Sequence, residues 1–288
     1  MNKVYFGTAG NPDEFYESGK KRSEQMPEWL KNYNLSAYEY QCGRGVNVGE
    51  ETARKIGVQA QIYGIRMSVH APYFISLATT DDSTFENTKQ HIFNSLRAAQ
   101  WLGAYAVIFH VGGVGKQERS LAFELAQTRF AAIVKEAETL GLNEVLLAPE
   151  THGKVNQLGT IKEIIEFCKI TDWTIPAIDF GHINSVGQGY IVDEIQYQGI
   201  FDELTQSLGA DIASNIHIHF SQIEFTRAGE KKHHTFADGF GPPFEPLMRV
   251  IKKNNYTPTI ICESNGTQAK DALAMQRYYE SISNKPSY

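Results

Sequence analysis

The chain has 288 residues, 42% hydrophobic and 21% charged, which is enough apolar material for a full core and too little charge for a disordered segment. Lys and Arg number 27 against 33 Asp and Glu, and the net charge of −6 argues against indiscriminate phosphate-backbone binding while leaving room for a local basic patch. No apolar run approaches the roughly 18 residues of a membrane span and Met1 to Gly7 carry no apolar signal core, so the expected setting is cytoplasmic, with no membrane and no obligate protein partner.

In chain order, short β-rich runs recur at 4–8, 37–41, 66–70, 104–110, 144–150, 175–180, 215–220 and 257–263. The stretches between them carry helical spacing, most visibly at 83–102, 118–140 and 159–168. Within 118–140, Leu121, Leu125, Phe130, Ile133, Val134 and Ala137 fall near one helical face. Val145-Leu146-Leu147-Ala148 and Thr259-Ile260-Ile261-Cys262 are apolar on both faces, as parallel strands covered by helices must be. Eight βα units in 288 residues predict an α/β fold, a (β/α)8 TIM barrel rather than an open doubly wound sheet. With no low-complexity linker or break in composition, one domain is expected over 1–288.

Two connections are long: 71–83 after the third run, and 221–241 after the seventh, with Lys231-Lys232-His233-His234 in its middle. Long loops in a compact domain are more often functional than idle, and loops that follow a barrel strand sit at the catalytic face. Cys42, Cys168 and Cys262 are odd in number and widely spaced, which indicates reduced thiols rather than a disulfide framework or a thiolate zinc site.

Ligand-type residues collect at the strand ends. His70 ends the third run, His110 the fourth, Glu150 the fifth, Asp179 the sixth and Glu263 the eighth, while His217 and His219 lie in the seventh. In a barrel these carboxyl ends converge on one mouth. A single strand-end His is more often a hydrogen-bonded polar residue than a ligand, but coincidence does not readily supply six consecutive strands. Glu150 and Glu263 end apolar strands and need a counter-charge, and the strand ends offer further anions and no cation. A bound metal meets that need, and mixed imidazole and carboxylate ligands suit Zn²⁺, Mn²⁺ or Fe²⁺. His182 and His233 extend the cluster, although His233 beside two lysines also fits a solvated basic patch. His91 and His152 have no strand-end position and read as structural or surface residues.

The motifs Ser68-Val69-His70-Ala71-Pro72-Tyr73, Ile75-Ser76-Leu77-Ala78, Phe109-His110-Val111-Gly112, Pro149-Glu150-Thr151, Asp179-Phe180-Gly181-His182 and His217-x-His219 resemble, in order and spacing, the endonuclease IV family of metal-dependent apurinic/apyrimidinic endonucleases. That family lies within the xylose-isomerase-like TIM barrels. The resemblance implies that His70, His110 and Glu150 hold one metal, and that Glu150, Asp179, His217 and Glu263 hold a second, with Glu150 bridging. It also implies a third zinc at His182 and an Asp-x-His pair whose His is His233 and whose Asp position carries Lys231. Two metals per chain are therefore expected, with Lys231 as a catalytic cation in place of part of the third metal's charge; otherwise Glu230 or Asp238 serves as the third-site ligand. His219 and Phe220 also depart from the family, which carries Asn and Asp there.

The implied activity is DNA repair by incision of damaged double-stranded DNA 5′ to abasic sites, through a zinc-type dinuclear or trinuclear centre. Arg44, in a glycine-flanked loop, and Tyr73 and Phe74 are the expected DNA contacts, apt for filling the gap left by an extruded nucleotide; Tyr73 and Phe74 equally fit packing of the barrel rim. The alternative is a sugar isomerase or epimerase on the same barrel, using one divalent metal at Glu150, Asp179, His217 and Glu263. A third class keeps the metal and the barrel as a catalytically silent binding protein.

Overall fold

Alternation along short parallel strands decides which side chains face inward. The computed structural model describes residues 3–283, so the first two and last five residues of the expected 1–288 domain lie outside the described part. The strands are β1 (Tyr5–Ala9), β2 (Ala37–Gln41), β3 (Arg66–His70), β4 (Ala106–His110), β5 (Leu146–Glu150), β6 (Ala177–Asp179), β7 (His217–Phe220), β8 (Gln222–Thr226), β9 (Gly229–His234) and β10 (Thr259–Cys262). Strands β1 to β7 and β10 form a closed barrel, β7 pairing with β10 and β10 with β1, all parallel. This is the predicted (β/α)8 TIM barrel, and each predicted strand overlaps an observed one.

Helices cover the barrel where the sequence calls for them. Asp82–Leu102 starts where the Asp81 carboxylate accepts the Thr84 amide, and ends at Gly103 in the left-handed conformation. Ile161–Cys168 starts with a Thr160/Glu163 capping box. Glu163 is held further by Arg119, whose Nε and Nη2 donate to its two oxygens at 2.7 and 2.8 Å. This clamp ties the start of the helix Arg119–Thr139 to the segment that leaves β5.

On each strand one parity faces the helices and the other faces the barrel axis. Tyr38, Met67, Val69, Val107, Phe109, Leu147, Ile178, Ile218 and Ile260 join the main core between sheet and helices. Ala106, Ile108, Ala148 and Ala177 form a separate apolar cluster inside the barrel. Glu39, Ser68, His70, His110, Glu150, Asp179, His217 and His219 share that inward parity, so the alternation that builds the core also aims every strand-end ligand at the axis.

The connection 221–241 is not an irregular loop. Ser221 is followed by the antiparallel hairpin of β8 and β9, then a 3-10 turn at Phe236–Asp238. At the hairpin turn, Gly229 has φ +100°, and a Cβ there would lie 2.1 Å from the Gly153 carbonyl oxygen. The adjacent Glu230 amide donates to that same carbonyl at 2.7 Å. Only glycine allows the hairpin to seat so closely on the segment after β5.

Candidate metal centre

Glu150 occupies the centre of the barrel mouth and is almost fully buried. Its Oε2 lies 3.2 Å from His70 Nε2 and 3.5 Å from His110 Nδ1, and its Oε1 lies 2.8 Å from His219 Nδ1 and 3.6 Å from His182 Nδ1. Asp179 ends β6 and caps the short helix Phe180–Val186: its Oδ1 accepts the His182 amide at 2.7 Å. Its Oδ2 remains buried with no hydrogen-bond partner among the described residues, 3.5 Å from His182 Nδ1. Glu263, just past β10, reaches within 3.7 Å of His219 Nδ1.

Two corrections to the expected ligand sets follow from register. β6 and β7 pair Asp179 with His219 and Ala177 with His217. His219 is therefore level with the mouth carboxylates, and His217 is one layer below. Ligand atoms of Glu150, Asp179, His219 and Glu263 fall within 4.8 Å of one another, as do those of His70, Glu150 and His219. The expected set with His217 forms with His219 instead.

The second correction concerns the hairpin. β8 and β9 pair Glu224 with Lys232 and Phe225 with Glu230, which leaves Lys231 as an extra, bulged residue. Residues three apart on a regular strand point to opposite faces; the bulge restores Glu230 and His233 to one face. Glu230 Oε2 lies 3.5 Å from His182 Nε2 and Oε1 lies 3.5 Å from His233 Nε2, so the carboxylate of the third cluster is Glu230. Lys231 faces outward with its side chain 58% exposed and pairs with Glu224 at 2.6 Å. Asp238 binds Thr235 and His234, away from the cluster. Neither Lys231 nor Asp238 joins the centre.

The donor set fits divalent cations on three counts. Glu150, Asp179, Glu230 and Glu263 make ion-pair contacts only to histidines, with no Lys or Arg partner among the described residues. Asp179 Oδ2 and His110 Nδ1 are buried with no hydrogen-bond partner among the described residues. Finally, second contacts fix which imidazole nitrogen is free. His70 Nδ1 sits 2.8 Å from the Ala71 carbonyl and His182 Nδ1 3.0 Å from the Thr151 carbonyl, so these nitrogens donate and leave Nε2 as the ligand atom. His233 Nδ1 is likewise taken by Ser221 Oγ at 2.8 Å.

Without a metal the protons redistribute accordingly. Burial opposes ionisation of Glu150, but His110, His219 and His70 hold it well below the usual carboxylate range. Burial also opposes charging of His70 and His233, yet Glu150 and Glu230 respectively raise each imidazolium to about 9. Glu230 is lowered to about 2 against its own burial by His233 and His182. His110 is pushed well below its ordinary value by burial and by the neighbouring histidines, with Glu150 acting the other way. Imidazolium protons thus stand where cations would relieve the same anions.

The mouth opens into a cavity of about 580 Å³ whose walls include Gln41, Tyr73, His152, Lys154 and Glu230. Tyr73 and Phe74 are 55% and 50% exposed with ring centroids 4.8 Å apart, and Arg44 Nε donates to the Tyr73 hydroxyl at 3.1 Å. They are exposed rim residues. His152, read from sequence as structural or surface, packs at a tilt against His110 at 4.5 Å and stacks with His182 at 5.6 Å, with a buried Nδ1 that has no hydrogen-bond partner among the described residues. Glu39, overlooked in sequence, lies beneath the mouth against His217 and His219. Its signal was present, since a carboxylate inside Ala37-Tyr38-Glu39-Tyr40 demands a partner as Glu150 does. All three cysteines are free and buried, and among the described residues no helix is long and apolar enough to cross a membrane.

A profile of the xylose isomerase-like TIM barrel family matches residues 27–279. An uncharacterized protein of Methanocaldococcus jannaschii is 30% identical over 283 residues, spanning 96% of this chain and 97% of its own. A protein of Oceanobacillus iheyensis named "Probable endonuclease 4" is 26% identical over 255 residues, 81% of this chain and 80% of its own. Among solved structures, endonuclease IV from Thermus thermophilus superposes with a TM-score of 0.72 at 17% identity, over 97% of this chain and 100% of that one. A D-tagatose 3-epimerase-like protein gives the same TM-score at 18% identity, over 97% and 98%. At such identity these two superpositions establish a shared fold and nothing finer.

Proposed function

The chain belongs to the xylose isomerase-like TIM barrel family, and within it we propose a metal-dependent phosphodiester hydrolase of the endonuclease IV type, incising double-stranded DNA 5′ to abasic sites. One observation carries this reading: three groups of ligand atoms, His70 with Glu150 and His219, Glu150 with Asp179, His219 and Glu263, and His182 with Glu230 and His233, are contiguous through Glu150, His219 and His182, with His110 Nδ1 3.5 Å from Glu150 beside the first. A sugar isomerase or epimerase uses the set Glu150, Asp179, His219 and Glu263 and leaves His70, His110, His182, Glu230 and His233 without a task. The relatives named endonuclease 4 favour the same reading.

His70, His110 and Glu150 would hold one metal; Glu150, Asp179, His219 and Glu263 a second; His182, Glu230 and His233 a third. When bound, zinc, or Mn²⁺ or Fe²⁺ in its place, supplies Lewis acidity toward a phosphoryl group and lowers the pKa of an attacking water. The chain's own work is placement. Glu150 links the first two sets, the backbone carbonyls of Ala71 and Thr151 fix the rings of His70 and His182, and the hairpin carries Glu230 and His233 to the third. Arg44, Tyr73 and Phe74 contact DNA at the rim, where an exposed aromatic pair and a guanidinium fill the gap of an extruded nucleotide. Lys154, on the cavity wall, is a further cation for a phosphate. Lys231 has no part in this assignment.

The test is a duplex containing an abasic-site analogue, incubated with Zn²⁺-, Mn²⁺- or Fe²⁺-loaded protein beside a panel of ketoses. Incision on the 5′ side leaving a 3′-hydroxyl supports the proposal. An intact duplex together with ketose turnover moves the protein to the isomerase class.

A further inference from the structure

Beneath the mouth lies a layer of buried polar side chains that the proposed hydrolysis does not use: Glu39, Ser68, Tyr105 and His217, with the inner edge of His219. Glu39 is fully buried, and each of its carboxylate oxygens has two neighbours. Oε1 accepts from Gln41 Nε2 at 3.0 Å and lies 2.9 Å from His219 Nε2. Oε2 accepts from Ser68 Oγ at 2.9 Å and lies 3.0 Å from His217 Nε2. Among the described residues, no Lys or Arg makes an ion pair with Glu39, and neither Nε2 has a hydrogen-bond partner, its contact with Glu39 being a close charge contact rather than an aligned N–H···O bond.

A nitrogen lone pair at that distance from a buried carboxylate oxygen is repelled, so both Nε2 atoms must carry their protons. A neutral imidazole then has one lone pair left, on Nδ1. For His217 that atom lies 2.6 Å from the Tyr105 hydroxyl, which donates to it. For His219, Nδ1 points upward, 2.8 Å from Glu150 Oε1 in the mouth cluster, where by the same argument it carries a proton that a bound metal would replace. The two histidines of β7 share one parity and differ only in level, yet their Nδ1 atoms meet different partners.

We propose that Glu39 is a positioning residue: it holds His219 with Nε2–H turned inward so that Nδ1 is the atom presented to the metal centre, and it holds His217 below the mouth as an outer support rather than a ligand. The inference rests on the metal-centre reading and not on the choice of a phosphodiester substrate. Outer carboxylates that orient a ligating histidine and raise its basicity typically alter metal affinity by about 10- to 100-fold. Tyr105 acts only through His217, one contact further from the metals.

Zinc-loaded protein, imidazole ¹⁵N spectra and metal-affinity titrations test this together. The expected wild-type spectrum has zinc on His219 Nδ1 with Nε2 protonated, and His217 protonated at Nε2 without zinc. Glu39→Gln should keep the same zinc count at saturation and weaken the site served by His219 by about 10- to 100-fold. Tyr105→Phe should leave that affinity within about threefold, as an outer contact acting through a second side chain. Full affinity in a folded Glu39→Gln protein overturns the proposal, and so does loss of a whole equivalent at saturating zinc, which would make Glu39, His217 and His219 a metal site of their own. If the variant does not fold, the wild-type spectrum decides: zinc on His217, or on His219 Nε2, overturns it. A chain that takes up no zinc overturns this inference and the metal centre together. A chain with the expected spectrum that leaves abasic duplex uncut overturns only the substrate assignment.

Discussion

Exchanging Glu230 and Lys231 for residues of altered charge separates what the hairpin does from what its sequence suggests. Glu230 is the anion that faces both His182 Nε2 and His233 Nε2, at 3.5 Å from each. His182 Nδ1 is occupied by the Thr151 carbonyl at 3.0 Å and His233 Nδ1 by Ser221 at 2.8 Å, so neither ring can turn its other nitrogen inward without breaking a contact. In Glu230→Gln the third site keeps two neutral imidazoles and an amide. Loss of an outer-shell contact costs about 10- to 100-fold in affinity, and loss of an anionic ligand should cost at least the upper figure, about 2.7 kcal/mol. Titration against a chromogenic chelator, with metal counting after dialysis, should show the weakest of three zinc equivalents lost while two remain. Lys231→Asp, on the outer face, should leave three, because its partner is Glu224 rather than the cluster. A third equivalent retained in Glu230→Gln, or a wild type with two that gains one in Lys231→Asp, would refute the register assigned to β9.

Glu150→Gln should fold, as a circular dichroism melt will check, but lose metal and phosphodiesterase turnover, because a neutral amide links cations poorly. Gly229→Ala forces a side chain toward the Gly153 carbonyl at φ +100°, so unfolding titrations should show a loss of about 1 kcal/mol or more, and metal counting should show a weakened third site. Tyr73→Ala and Phe74→Ala, at half-exposed positions, should change stability by no more than about 0.5 kcal/mol. They should weaken binding to abasic duplex by about 1–3 kcal/mol each, and equal affinity for variant and wild type removes the rim from the DNA assignment. Burial raises the Glu163 carboxyl, but Arg119 and the Gly159 and Thr160 amides hold it below its ordinary value. Its folded pKa thus lies below the unfolded one, near 4.3, so its stabilisation is present above that pH and fades as pH falls through the folded value. Glu163→Gln should flatten the acid limb of stability measured by denaturant titration, and an unchanged limb would rule out the clamp.

The barrel was legible in the sequence because apolar runs bounded by helical stretches have few alternatives, and strand-end residues converge in a closed parallel sheet wherever the strand boundaries fall. His70, His110, Glu150, Asp179 and Glu263 came from that logic and lie at the mouth. The choice between His217 and His219 did not, because residues two apart on a strand share a face and only the pairing of β6 with β7 says which level each occupies. Glu230 escaped for a related reason: the bulge at Lys231 shifts the phase of β9, and no single-strand pattern records the strand it pairs with. His152 follows β5 and packs against residues from β4 and the helix after β6, a contact made by the fold's closure rather than by neighbours in the chain. Sequence set the parity of each strand, and so which residues face the axis; tertiary register set their level, and so which of them meet.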